Sequence, residues 1–291
     1  MANVQIIRRR IKSVKNINQI TKAMEMVAAS KLKKVQDAAT RSRIYAAACR
    51  DALSSIRHAT SFQEHAFFQE RPVRHELIIM LSSDRGLAGA YNSNILKELI
   101  RVIEENNAHG ISEHSLIAIG KRGAQFISRI KGVVDMKGVY TGWQAHPDFE
   151  DVRPIIATVV NLFLEQKIDR VRLLYTNFIS ISRQRVVTHQ LLPVAANVAQ
   201  EQARISDSIV EPSIETVLEY VLPRFLEVQL YQAALEASAS EQAMRMIAMK
   251  NASDNAKDLR QDLSLLFNRA RQASITQEIA EIISGVQAVT S

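Results

Sequence analysis

Hydrophobic positions recur along the start of the chain at helical spacing. Val4, Ile7, Ile11, Val14, Ile17, Ile20, Met24 and Val27 step by three or four residues, which places them on one stripe of a helix. Leu32, Val35 and Ala39 continue the stripe more weakly. Near the other end, Ala252, Ala256, Leu259, Leu263, Leu266, Ala270 and Ala273 step 4-3-4-3-4-3, the seven-residue repeat of a coiled-coil seam. Ile275, Ile279, Ile282, Ile283 and Val286 carry the apolar face onward. Helix-breaking residues respect these segments. Residues 1–71 and 224–284 contain neither Gly nor Pro, whereas eight of the nine glycines fall between Gly86 and Gly142.

The pattern predicts a long helix, a globular middle and a second long helix. At 1.5 Å per residue, Asn3–His58 would form a rod of roughly 80 Å and Ser213–Val286 one of about 110 Å. Neither stripe is stable alone, so each must bury against a partner. The nearest candidate is the other helix, in an antiparallel pair. Pro212 suits a helix start, and Pro223 is expected to kink or interrupt the early part of the second helix.

Between the helices, strand and helix patterns alternate. Leu77–Leu81 and Leu116–Ile119 are apolar runs ending at turn residues, followed by helical patterns at Asn94–Glu105 and Lys121–Ile130. A third helix at about Phe149–Gln166 precedes strands at Val171–Tyr175 and Gln184–Leu192. Repeated strand–helix units imply a mostly parallel sheet covered by helices. The predicted fold class is therefore α/β plus long helices. It consists of an antiparallel two-helix coiled coil, formed by the N- and C-terminal segments, with a central Rossmann-like α/β domain. The expected division is 1–71, 72–208 and 209–291, the last pairing with the first.

Charge sharpens this picture. The chain of 291 residues carries a net +7, but residues 1–34 alone hold nine Lys/Arg against Glu25 and account for +8. After Arg271 there is no Lys or Arg, and the acids are Glu278 and Glu281. An apolar, nearly uncharged helix end should not face bulk water. Beside a basic first helix, it suggests insertion into a partner with an apolar mouth and an acidic rim. No run of 18 apolar residues is present, so no membrane span is expected. The opening residues lead straight into the basic pattern, with no signal-like or transit-like stretch ahead of it. A single cysteine, Cys49, excludes an internal disulfide framework and suits a reducing compartment.

Catalytic signatures are lacking. The strand followed by Gly86-Leu87-Ala88-Gly89 has neither the three spaced glycines of a dinucleotide fingerprint nor the Gly-Lys-Ser/Thr of a phosphate loop, and reads as a structural turn. His109 and His114 lack the company of metal-ligand spacing. No Gly-x-Ser-x-Gly elbow occurs. No catalytic residue, cofactor or metal is expected. Two other readings are a basic coiled coil for nucleic acid or membrane, and an α/β enzyme with helical extensions. The first leaves the uncharged end unexplained and the second lacks a phosphate loop.

Longer motifs carry a resemblance. Arg9-Arg10-Ile11-Lys12-Ser13-Val14-Lys15-Asn16, Ile20-Thr21-Lys22-Ala23-Met24 and Met26-Val27-Ala28-Ala29 stand at the start. Ala239-Ser240-Glu241-Gln242-Ala243, Ala248-Met249-Lys250-Asn251-Ala252, Asn268–Ile279 and Glu281–Gly285 stand near the end. Together with Ser83-Asp84-Arg85-Gly86-Leu87 and Gln190-Leu191-Leu192-Pro193, these runs resemble the gamma subunit of F-type ATP synthases over essentially the whole chain. Ala88 and Ala90 depart from the Cys and Gly often found there, and the dithiol insertion of the chloroplast version is missing.

The resemblance implies a non-catalytic rotor shaft without cofactors. It would work with alpha, beta, epsilon and delta subunits and a membrane c ring, bind no nucleic acid, and lie peripherally on the cytoplasmic face of a bacterial inner membrane. Mapped by motif, Lys22, Met24, Arg245, Arg271, Gln272, Thr276 and Glu278 face the beta subunit, and Glu211 and Pro212 lie toward the c ring and epsilon.

Overall fold

In the computed structural model, residues 2–56, 65–129, 132, 134–143, 147–194 and 214–290 are described. They form two compact units: Met1–Ala28 with Met246–Ser291, and Ala29–Arg245. Two helices contribute to both units. Helix α1 spans Ala2–Ile56, and α5, the last, spans Ile214–Thr290.

The first unit is a pair of antiparallel helix segments. Direction follows from its contacts: the Asn18 side chain reaches Ser253, while the earlier residues Ile11 and Val14 pack with the later Ala256 and Leu263. The seam positions of α1 in this unit, buried or half-buried, include Val4, Ile7, Ile11, Val14, Asn18, Thr21, Glu25 and Ala28, and the same step continues along α1 to Leu32 and Val35 in the second unit. Those of α5 in this unit include Met249, Ser253, Ala256, Arg260, Leu263, Phe267, Ala270 and Ser274. Both step 3-4 without a break, which is the period of a supercoiled seam.

This corrects the predicted stripes. From Val14 onward the seam moves one residue along, to Asn18, Thr21 and Ala28, and leaves Ile17, Ile20 and Val27 exposed at 48%, 58% and 55%. On α5 the shift is from Ala252, Leu259, Leu266 and Ala273 to Ser253, Arg260, Phe267 and Ser274, with Leu259 and Leu266 about half exposed. Apolar residues at i, i+3 and i+4 define a broad face. Which line of that face becomes the seam is decided by the partner helix.

The second unit is built on a five-stranded sheet. Its strands are β1 His75–Leu81, β2 Glu113–Ile119, β3 Asp135–Tyr140, β4 Arg170–Phe178 and β5 Gln184–Leu192, in the spatial order β3-β2-β1-β4-β5. All neighbours run parallel except β4–β5, which is antiparallel. Helix α2 is Tyr91–Ala108, α3 is Lys121–Ile127, and α4 is Arg153–Leu164. The run Leu77–Leu81 is continuously apolar because both of its faces are covered. Leu77, Ile79 and Leu81 pack with Ile155, Val159 and Phe163 of α4 and with Leu53, Leu222 and Leu226 of the two long helices. Ile78 and Met80 pack with Tyr91, Ile95 and Leu99 of α2.

Three expectations for this unit are modified. Strand β3 is an addition: its alternating exposure and Gly138 give a weak pattern, and backbone pairing with β2 supplies what the side chains do not. The helix expected at Phe149–Gln166 is a short 3-10 turn, Phe149–Asp151, followed by α4, with Pro154 in the first turn of α4 where its missing N–H does no harm. Helix α5 is uninterrupted at Pro223. The lost hydrogen bond, of order 3 kcal/mol, is outweighed because Leu218, Leu222, Phe225 and Leu226 around it are buried at 0–2% exposure. Pro212 lies outside the described residues.

Candidate partner-contact surfaces

The basic start of α1 is displayed to solvent. Arg8, Arg9, Arg10, Lys12, Lys15 and Lys22 are exposed. Lys22 leans on Glu25 at 3.0 Å, an i,i+3 pair with the lysine half exposed, so the contact is weak and easily exchanged. Met24 is half-buried. Around these charges Ile17, Ile20 and Val27, which hydrophobic spacing alone assigns to the seam, are exposed, as is Met26. A strict seven-residue count from Val4 would have separated the two lines.

At the end of α5, Arg271, Gln272, Thr276 and Glu278 are all exposed on neighbouring turns. The Thr276 hydroxyl donates to the Gln272 carbonyl at 3.0 Å, and the Ser274 hydroxyl to Glu278 at 3.3 Å. The Gln272 side-chain amide and the Arg271 guanidinium thus stand above a helix whose own polar groups are satisfied locally. Beyond them Ile275, Ile279, Ile282, Ile283 and Val286 are 47–65% exposed. A donor pair followed by a smooth apolar surface can grip at one level and slide above it, because apolar contact has no preferred direction.

Arg245, in the second unit, is held inside the molecule at 8% exposure. Its Nη2 donates to Glu241 at 2.5 Å and to the Gly86 carbonyl at 3.4 Å. Burial pushes the Glu241 carboxyl above the usual range, opposed by Arg245. Glu211 and Pro212 fall outside the described residues.

The turn after β1 spends its polar groups on structure. Asp84 accepts the backbone N–H groups of Lys121 and Gly142, each at 2.8 Å, and Ser82 Oγ donates toward the carbonyls of Ile119 and Gly120. Gly120 has φ +100°, and a Cβ there would stand 2.2 Å from the Ser82 carbonyl oxygen. In open α/β sheets, ligands enter where the strand order reverses, here outside the carboxyl ends of β1 and β4. Helix α5 occupies that crevice: Ser240 Oγ donates to the Thr176 carbonyl at 2.9 Å, and a cavity of about 40 Å³ remains among Leu81, Tyr91, Ala237 and Glu241. That volume is suited to a water rather than a nucleotide.

A buried charge cluster lies toward the opposite end of the sheet and has no clear sequence signal. Glu76, fully buried on β1, accepts from Arg170 Nε and Arg172 Nη2, each at 2.5 Å, and from Asn106. Glu76 is far in sequence from Arg170 and Arg172 of β4, and strand register brings them together.

The chain as a whole is similar to known proteins. The sequence model of the ATP synthase family matches residues 3–289. The ATP synthase gamma chain of Brevibacillus brevis is 43% identical over 285 residues, 98% of either chain. That of Stenotrophomonas maltophilia is 42% identical over 99% of this chain and its own full length. Among solved structures, a chain of the Tetrahymena thermophila mitochondrial ATP synthase central stalk and c-ring aligns over 80% of this chain and 99% of its own, with a TM-score of 0.62 and 30% identity. A chain of the Euglena gracilis mitochondrial enzyme aligns over 99% of this chain and 95% of its own with a TM-score of 0.68; at 18% identity it speaks for the fold alone. On near-full-length identity above 40% and a family match across the chain, this protein belongs to the ATP synthase gamma-chain family.

Proposed function

We propose that the chain is the central rotor shaft of a rotary ATP synthase, passing torque between a membrane c ring and a catalytic alpha/beta hexamer. It is non-catalytic itself; ATP is made or split on the beta subunits. One observation carries the reading beyond family membership: the exposed α5 surface from Arg271 to Val286, with polar donors at its base and five exposed aliphatic residues above. Such a surface needs a sleeve that covers it and still lets it turn. Lys22, Met24, Arg271, Gln272, Thr276 and Glu278 are its contacts to beta, and Arg245 joins them when its Glu241 pair opens. Glu211 and Pro212 belong to the foot, near the c ring and epsilon, with delta elsewhere in the complex. The three segments 1–71, 72–208 and 209–291 act as shaft, base and returning shaft.

Among the described residues, no helix is long and apolar enough to cross a membrane. In this reading attachment is peripheral, through the c ring, on the cytoplasmic face of a bacterial inner membrane. Native purification tests the reading. The chain should emerge with alpha, beta and epsilon at 3:3:1:1, and beads fixed to it should rotate when ATP is supplied to the immobilised hexamer. A chain that purifies alone, or an assembled complex whose beads stay still during hydrolysis, overturns it.

A further inference from the structure

The seam of the first unit contains a polar layer where an apolar one is available. Asn18 Nδ2 donates to the Ser253 carbonyl at 2.7 Å and to Ser253 Oγ at 3.1 Å, with Ser253 only 7% exposed. Of the flanking apolar residues, Ile17 is exposed and Ala252 is half-buried. Below this layer Val14 packs with Ala256 and Leu263, an interaction that any neighbouring apolar residue could replace. Aliphatic contacts tolerate sliding, whereas a hydrogen-bonded side-chain pair does not. Thr21 cannot take over the role, because its hydroxyl is committed to the carbonyls of Ile17 and Asn18 on its own helix.

We propose that Asn18 and Ser253 are positioning residues that fix the axial register of the two long helices, and with it the relative height of the partner contacts on each. A slip of one heptad would replace Ser253 opposite Asn18 by Met246 or Arg260. Either residue offers a backbone carbonyl in place of Ser253's, but arginine has no side-chain acceptor and methionine only a weak one, so either slip loses the Asn18–Ser253 Oγ hydrogen bond. One heptad is about 10 Å along the axis. Lys22 and Met24 on α1 would then stand a full two turns out of place against Arg271 and Gln272 on α5. A single polar pair in a coiled-coil seam acts in this way, specifying register at some cost in stability. The functional half of the inference rests on the rotor reading; the register itself does not.

Disulfide trapping in the full-length chain, with Cys49→Ser as background, separates the two. Val14→Cys should crosslink to Ala256→Cys and not to Met249→Cys, one heptad away. In Asn18→Leu/Ser253→Leu the melting temperature should hold or rise, and the 249 crosslink should increase at least tenfold. Should the leucine pair fail to fold, Asn18→Ala/Ser253→Ala carries the same crosslinking expectation. Variants that still crosslink only at 256 overturn the register role. If the slipped crosslinks appear but the assembled complex keeps wild-type coupling of hydrolysis to ion movement, the register stands and its functional role falls.

Discussion

Arg271 is the last cationic side chain on α5, and Gln272 stands beside it just before the aliphatic surface that begins at Ile275. Replacing both by Ala leaves the seam untouched, so assembly should survive. ATP synthesis and rotation-coupled hydrolysis should fall at least tenfold, about 1.4 kcal/mol in the barrier. The check is turnover of the assembled double variant with subunit stoichiometry measured on the same sample. Glu76 is the reverse case, a residue with no role at the surface. Glu76→Ala would leave Arg170 and Arg172, whose side chains are 22% and 18% exposed, without their shared counter-charge. The expected loss is about 3 kcal/mol, below the full cost of a dry pair because both guanidinia keep some water. A denaturant midpoint close to wild type would show that solvent reaches the cluster.

Glu236 of α5 gives a pH dependence. Burial pushes its carboxyl above the ordinary value of 4.5, with Arg43 and a hydrogen bond from Tyr175 working against the shift. A carboxyl whose folded value is raised contributes stability below its unfolded value and loses it as pH rises through the folded one. Glu236→Gln, which keeps the neutral form, should therefore match wild type at pH 4 and gain on it progressively toward pH 7. Parallel stability curves across that range would contradict this.

At the scale of elements, the junction between β2 and α3 is the least forgiving. A Cβ on Gly120 would lie inside the contact distance of the Ser82 carbonyl, at a backbone angle that L residues rarely adopt. Gly120→Ala should cost more than about 2 kcal/mol, combining overpacking with backbone strain, and read out as a lowered melting temperature. Gly110, also at positive φ but with nothing near its Cβ position, should be the milder of the two. Helix α5 shows the opposite tolerance. Its turn at Pro223 survives because packing on both sides holds the backbone in place.

For the whole molecule, the distribution of charge should govern encounter. With +8 in residues 1–34 and almost none at the far end of α5, association with an acidic partner surface should slow as salt is raised from 50 to 500 mM. Dissociation, set by apolar burial, should change much less. Stopped-flow binding to the alpha/beta hexamer measures both rates, and a salt-independent association rate would assign the basic face a passive role. The isolated chain should show no ATPase activity at any salt concentration, since α5 occupies the crevice where a nucleotide would enter the sheet.

Periodicity and the placement of Gly and Pro were enough to read two long helices around an alternating strand–helix middle, because those signals are local: a helix excludes breakers and a strand buried on both faces is apolar throughout. Motif runs at both ends were enough to name the family. The seam was not legible in the same way. Ile17, Ile20 and Leu259 look like core residues by spacing, yet Asn18, Thr21 and Arg260 take the buried line, because an apolar face wider than the seam leaves its register to the opposite helix. Arg245 reads from sequence as a surface contact, and only packing against Glu241 and Gly86 draws it inside. Glu76, Arg170 and Arg172 are scattered charges along the chain; strand pairing makes them one buried cluster, since residues nearly a hundred positions apart become neighbours only when the sheet forms.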